Sequence, residues 1–427
     1  MNSVRPVAPP AVRWITQTLE DAGFETWTVG GAIRDALLGH PSEDWDLATR
    51  ATPGDMRRIF RRTVPLGVEH GTIGVLARDG TMYEVTTFRR DVETDGRHAV
   101  VAFAQSIQED LARRDFTINA IAWHVLRDDF YDPFGGAGDL QSGTLRTVGE
   151  AEERFREDYL RILRALRFAG RFDFSIHEAT WSAMAGLASH LSSLSPERVR
   201  EELLKVLGQD RTPSRALRLY ATSGALAVLY PELEERRAGE EWDKALGRVD
   251  HLPSGRPYLR LAALLRGVPQ DRAAALLMRM RLSNAQTDET ARLASADPLP
   301  GEDASNADVR RWLGRCGPGR LERLARIDVA GARFAAESGT AGPTPEEVVR
   351  AWHRAREIRR NRPALVVGDL AFGGRDLKRL GFKPGPMFGI VLERLLEWVL
   401  DDPGRNNPGL LEAEARRILD EDAARDG

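Results

Sequence analysis

Residues 29–49, VGGAIRDALLGHPSEDWDLAT, place a turn, a short helix and two closely spaced carboxylates in one stretch, and the rest of the chain is read outward from it. Thr26 to Val29 reads as the end of a strand. Gly30 and Gly31 read as a turn whose backbone N–H groups can approach an anion, and Ala32 to Leu38 as a short helix. Gly39, His40 and Pro41 stop that helix. Arg34 and Asp35 fall on its first turns, where Arg34 can add a fixed positive charge to a phosphate received by the turn. Glu43 to Thr49 has the pattern of a strand, and a period of two puts Asp44 and Asp46 on one face with Trp45 on the other. A D-x-D triplet alone is as readily a solvated strand end. Beside an anion-binding turn it suits Mg²⁺-dependent phosphoryl chemistry, in which hard oxygen ligands hold metals that also touch substrate phosphates.

Composition bounds the remainder. With 427 residues and 42% hydrophobic content the chain can build two to four domains with cores. Cys316 is the only cysteine, which excludes an intrachain disulfide and a cysteine-based zinc site and fits a reducing cytosol. The start, MNSVRPVAPPAVRW, lacks the apolar core of a signal peptide, and no uncharged apolar run approaches the roughly 18 residues of a membrane span. A cytoplasmic protein without membrane contact is therefore expected. A formal charge of −3 means that nucleic-acid binding would depend on local basic surfaces.

The run GGAIRDALLG followed by D-W-D resembles the opening motif of the class II tRNA nucleotidyltransferase and poly(A) polymerase family, within the polymerase-beta-type nucleotidyltransferases. Ala11 to Ala22 and Pro53 to Phe60 read as helices, and 71–77 and 82–88 as strands joined at Asp79-Gly80, a hairpin signal. If that hairpin lies beside the strand of Asp46, Glu84 is either a third carboxylate near the metals or a hydrogen-bonded structural acid. Residues 89–103, RRDVETDGRHAVVAF, read as a mobile loop leading into a strand, and the DGRHA core resembles the flexible loop of CCA-adding members. Ser106 and Glu109 form a capping-box pattern, and Arg113, Arg114 and Asp115 then match the family's R-R-D motif. The resemblance implies that Arg114 contacts the incoming nucleotide. DPFGGAGDL, from Asp132, lacks the order of a phosphate loop; it reads as a structural turn and matches the motif that closes the family's catalytic head.

Helical apolar spacing continues from Glu150 to Gly170, with six arginines between Arg154 and Arg171. Asp158 and Arg161, three apart, would be neighbours on one helical face, either as an ion pair or as an acceptor and a donor fork for one planar partner. An Asp and an Arg side by side can hydrogen-bond the Watson–Crick edge of cytosine or adenine. Glu157, Asp158 and Arg161 match the family motif E-D-x-x-R, which favours base reading. Arg164 and Arg167 drift around the helix and are assigned to phosphates or to orienting the first pair. Ser195 and Pro196 open a further helix that resembles the family's next neck helix. Within 350–362, six arginines, among them Arg350, Arg354, Arg359 and Arg360, form either an RNA-backbone surface or a solvated helix face.

The expectation is an α+β chain. Residues 1–142 form a polymerase-beta-type catalytic head with a small mixed sheet, 143–210 a helical neck with the nucleotide-selecting helix, and 211–427 an all-α body and tail that bind tRNA. The resemblance implies template-independent addition of CMP and AMP from CTP and ATP to a tRNA 3′ end. Asp44 and Asp46 would hold Mg²⁺, with Gly30, Gly31, Arg34, Asp35 and Arg114 around the nucleotide. Addition of A alone or of a poly(A) tail, and a non-catalytic RNA-binding relative, are the alternatives.

Overall fold

The computed structural model describes residues 5–42, 44–94, 99–382 and 385–425. Helix α1 (Pro10–Asp21) buries Val12, Ile15 and Leu19, a helical stripe, and strand β1 (Thr26–Val29) follows it. Gly30, at φ +79°, turns the chain into α2 (Gly31–Leu37), and β2 (Asp46–Thr49) returns antiparallel to β1 with Val29 opposite Asp46. The strand predicted from Glu43 thus starts three residues later. Gly30 leads β1 away, so no partner remains for Asp44, while Trp45 is buried beside Trp123 and bonds its indole to Ser42 O at 3.0 Å.

Helix α3 (Pro53–Ile59) is held by a Thr52/Asp55 capping box. After β3 (Thr63–Gly67), strands β4 (Thr72–Leu76) and β5 (Met82–Thr87) form the expected hairpin, with Gly80 at φ +86°. Where a loop was expected, β6 (Arg89–Thr94) and β7 (Ala99–Phe103) pair from Arg89 opposite Phe103 to Thr94 opposite Ala99. The β-branched residues flanking the turn signal favour pairing over an open loop. Residues 95–98, within the DGRHA core, lie outside the described residues.

Ser106 caps α4 (Ile107–Ala112), after which come β8 (Ala122–His124), β9 (Asp129–Tyr131) and α5 (Gly136–Ser142). The principal sheet runs β3-β4-β5-β2-β1-β8-β9, and β2 with β5 is its one parallel pair among the described strands. Trp27, Val29, Ala48, Phe88, Leu111 and Ala122 build a core on the sheet. At Gly136 a Cβ would lie 2.1 Å from Thr117 O, so only glycine lets α5 close on the turn at Thr117–Asn119.

The single helix expected from Glu150 to Gly170 is two. Following β10 (Thr144–Leu145), α6 (Ala151–Glu157) ends at Asp158 (φ −156°, ψ 104°), and α7 (Leu160–Phe172) begins afresh. Asp158 makes the break, because its Oδ1 accepts from Leu160 N at 3.0 Å in place of helical continuation. Helix α8 (Glu178–Gly186) and α9 (Pro196–Gln209) follow. Two units emerge, Met1–Val206 with Thr212–Glu235, and Leu207–Arg211 with Arg236–Gly427. Among the described residues the second unit is built of helices alone, with buried clusters around Val391, Leu395, Leu411 and Ala415 and around Val329, Ala332 and Val348. This is the mixed α/β head followed by helices that the sequence predicts.

Candidate active site

Gly30, Asp46 and Arg114 meet at the end of β1. A Cβ built on Gly30 would lie 3.2 Å from Arg114 Nη1 and 3.5 Å from Asp46 Oδ2, so the turn is glycine both for its positive φ and for this approach. Burial, then the charge of Asp44, raises the Asp46 carboxyl from 3.8 to about 6; Glu84 adds to this and Arg114 opposes it. Glu84 enters that field because β5 lies parallel to β2 with Val85 opposite Leu47, which puts Glu84 and Asp46 one residue earlier on the same face. Asp44 is exposed before β2 and acts from there. Arg114 donates to Asp110 Oδ2 at 3.2 Å and to Asn119 O at 3.3 Å, while its Nε is buried without a partner. A guanidinium with a donor to spare, near a carboxylate that is costly to ionise, is an arrangement completed by a ligand that brings both negative oxygens and a cation.

Among the described residues no group of three or more His, Cys, Asp or Glu side chains is arranged to hold a metal by itself. The donor set nevertheless fits Mg²⁺, which is typically bound by one or two carboxylates and takes its remaining oxygens from water and substrate phosphate.

Arg34 and Asp35 lie on α2 as expected, with the Arg34 side chain taken into the interior by other protein groups. Arg34 is 6% exposed; it donates to Asp35 Oδ1 at 2.8 Å and to Asn119 Oδ1 at 2.7 Å, and its guanidinium lies 5.1 Å from the Phe168 ring and 4.9 Å from that of Phe172. Asn119 Nδ2 in turn donates to Asp115 Oδ1 at 3.0 Å, and Arg164 Nε reaches Asp115 Oδ2 at 2.7 Å. Burial alone would raise the Asp115 carboxyl, but the Arg164 charge and the Asn119 and Arg164 hydrogen bonds outweigh it and hold the group at about 2. Asp115 stands in the R-R-D motif, but nothing in the sequence marks Asn119 or Asp110 as a site residue in its own right. Asp110 carries a faint local signal, four residues before Arg114 on and just beyond α4; Asn119 has none beyond its place in DFTIN.

At the start of α7 the main chain of Arg161 donates to Asp158 O at 3.0 Å, but their side chains pair with other groups and not with each other. Asp158 Oδ2 accepts from Arg198 Nη2 on α9 at 2.7 Å. Arg161 Nη1 donates to Glu157 Oε2 at 2.6 Å and to Arg154 O at 3.1 Å, and its Nη2 to Arg113 O at 3.1 Å. Arg167 is buried against Glu202 of α9 at 2.7 Å, with its guanidinium 4.2 Å from the Phe168 ring centroid. Further along the chain, Arg350 pairs with Glu302, Arg354 donates to Asn306 Oδ1 at 2.8 Å, and Arg359 to Glu322 Oε1 at 3.0 Å, whereas Arg360 is exposed.

Known proteins match this chain along nearly its full length. Residues 26–146 match the family model of the poly A polymerase head domain, and residues 173–236 that of the probable RNA and SrmB-binding site of polymerase A. The CCA-adding enzyme of Geobacillus stearothermophilus is 35% identical over 412 residues, 95% of this chain and 94% of that one. The CCA-adding enzyme of Streptococcus thermophilus is 36% identical over 401 residues, 91% of each. The crystal structure of Bacillus stearothermophilus CCA-adding enzyme in complex with CTP superposes with a TM-score of 0.74 at 33% identity, covering 98% of this chain and 100% of that one. The fold also matches Thermotoga maritima CCA-adding enzyme complexed with tRNA, at a TM-score of 0.60 and 22% identity.

Proposed function

The chain belongs to the family of CCA-adding enzymes, and from that membership we infer that it adds CMP and then AMP, from CTP and ATP, to the 3′ end of tRNA and releases pyrophosphate. The observation that carries the reading is the meeting of Gly30, Asp46 and Arg114, with Asp44 and Glu84 in the same field. In this reading residues 1–142 carry the chemistry, 143–210 choose the base and 211–427 hold the tRNA.

Asp44 and Asp46 would hold Mg²⁺, and the ion would supply Lewis-acid activation of the RNA 3′-hydroxyl and charge compensation for the leaving pyrophosphate. Glu84 raises the negative potential at Asp46 and so strengthens the attraction for a cation. The Gly30–Gly31 turn admits the triphosphate close to the backbone, and the Arg114 guanidinium, whose Nη1 approaches Gly30, gives it a charged donor there. No side-chain base is required; the residues align the hydroxyl with the α-phosphate and exclude poses in which it cannot attack. Asp158 accepts from the exocyclic amine of cytosine or adenine, and Arg161 donates to the adjacent ring acceptor. Both keep capacity for this, since an ionised carboxylate has about four lone-pair sites and a guanidinium five N–H groups. Uracil and guanine present a carbonyl where Asp158 needs a donor.

The test is to incubate the purified chain with tRNA ending at the discriminator base, CTP, ATP and Mg²⁺, and to sequence the products. C-C-A ends are the expected result. Extension only of tRNA already ending in C-C would replace this reading with A addition, and homopolymeric A tails with poly(A) synthesis.

A further inference from the structure

Asn119 joins Arg34, 85 residues away in the chain, to its near neighbours Arg114 and Asp115. Its Oδ1 accepts from Arg34, its Nδ2 donates to Asp115 and its main-chain oxygen accepts from Arg114, and the residue is 7% exposed. The partners fix the amide's orientation, because a guanidinium only donates and an ionised carboxylate only accepts. Beyond these bonds, Asp115 holds Arg164 of α7, and Arg34 lies over Phe168 and Phe172 of the same helix. A buried relay, Asp35–Arg34–Asn119–Asp115–Arg164, therefore runs from the helix after the Gly30–Gly31 turn to the helix whose first turn carries Arg161.

We propose that Asn119 is a positioning residue that sets the register between the base-reading end of α7 and the turn that receives the triphosphate. This rests on the reading that Asp158 and Arg161 contact the base. A nucleotide gripped by its base presents its α-phosphate correctly only if α7 and the turn keep a fixed spacing, and a misplacement of about 1 Å costs roughly 100-fold in rate. The relay fixes that spacing because slippage of either helix takes from Arg34 or Asp115 a hydrogen bond made in the interior. Arg114 is held through the main chain of Asn119, so a change of side chain leaves that hydrogen bond in place and isolates the relay.

The experiment compares Asn119→Ala, Asn119→Asp and wild type, each as the full chain, for kcat and KM with CTP and with UTP on tRNA lacking C-C-A. Thermal unfolding monitors the fold. The expected result for Asn119→Ala is a fall in kcat of roughly 100-fold, a KM for CTP changed far less, and a CTP-over-UTP preference reduced about 10-fold. Combining it with Arg164→Ala should cost no more than the worse single variant, since both cut one relay. A folded Asn119→Ala variant with wild-type kcat or wild-type base preference, or additive losses in the double variant, overturns the proposal. Should Asn119→Ala not fold, Asn119→Asp, which keeps the acceptor for Arg34 but opposes Asp115 with a like charge, is judged by the same two readouts. Asp158→Ala serves as the control on the underlying reading. If it leaves base preference unchanged, the base assignment has failed; if it alone abolishes preference, only the positioning role of Asn119 has.

Discussion

Asp46 concentrates the conflict on which the chemistry depends. A carboxylate buried beside Asp44 and Glu84 is costly to ionise in the absence of a cation, which is why its pKa stands at about 6. The folded metal-free protein binds more protons than the unfolded chain between about pH 4 and 6, so this group's effect is to lower stability as pH rises through that window, by at most about 3 kcal/mol. Asp46→Asn should accordingly unfold at a higher temperature than wild type at pH 8 without Mg²⁺, with the gap closing toward pH 4. Added Mg²⁺ should raise the wild-type Tm and leave that of the variant nearly unmoved. Asp44→Ala and Asp46→Ala should each abolish nucleotide addition with tRNA affinity nearly intact; substantial Mg²⁺-dependent activity in either would end the metal-ligand assignment.

At the scale of elements, α7 and α9 work as a pair, with Asp158 tied to Arg198 at one end and Arg167 to Glu202 within. Burial acts to raise the Glu202 carboxyl, but Arg167 and Lys205 outweigh it and keep it below its ordinary value. Removing one partner of a buried pair leaves the other charge uncompensated, so Glu202→Ala should cost about 3–5 kcal/mol in urea unfolding of the unit that contains it. Asp158→Ala or Arg161→Ala should instead leave stability nearly unchanged and relax base choice toward UTP and GTP, because two hydrogen bonds to one base discriminate by about 1–3 kcal/mol. Unchanged CTP/UTP and ATP/GTP ratios would reduce both residues to the Arg198 and Glu157 pairs they make without nucleotide. The β6–β7 hairpin supplies a further test. Deleting residues 93–98 should spare C addition and impair the terminal A, the step that needs a pocket re-formed around a larger base; equal slowing of both would make the hairpin general scaffold.

For the whole molecule, a net charge of −3 leaves RNA binding to local surfaces, and the arginine-rich helix at Pro345–Arg360 is a weaker candidate than its composition suggests. Arg350, Arg354 and Arg359 each commit donors to Glu302, Asn306 and Glu322. Guanidiniums so engaged retain charge, so Arg354→Glu with Arg360→Glu should raise the KM for tRNA. The slope of log affinity against log salt should become shallower by roughly one for each phosphate that is no longer neutralised. If filter binding across a salt series shows neither effect, the helix is a solvated face.

The parts of this protein settled by the sequence are those settled by neighbours a few residues apart. The Gly30 turn, the Asp79-Gly80 hairpin, the Ser106 cap and the helix opened at Pro196 are turn and cap chemistry, and the family motifs stand on them. Tertiary structure decided where the buried polar side chains found partners. Arg34 bonds Asn119 across 85 residues, Arg164 reaches Asp115 across 49, and Arg198 takes Asp158 across 40. Helical apolar spacing runs unbroken through Asp158, and only the neck as folded holds its carboxylate between Leu160 N and Arg198 and breaks the helix there. Local pattern specifies elements because their hydrogen bonds close over three or four residues. A buried charge must be paired wherever the fold brings its counterpart, and that pairing has no spacing in the chain.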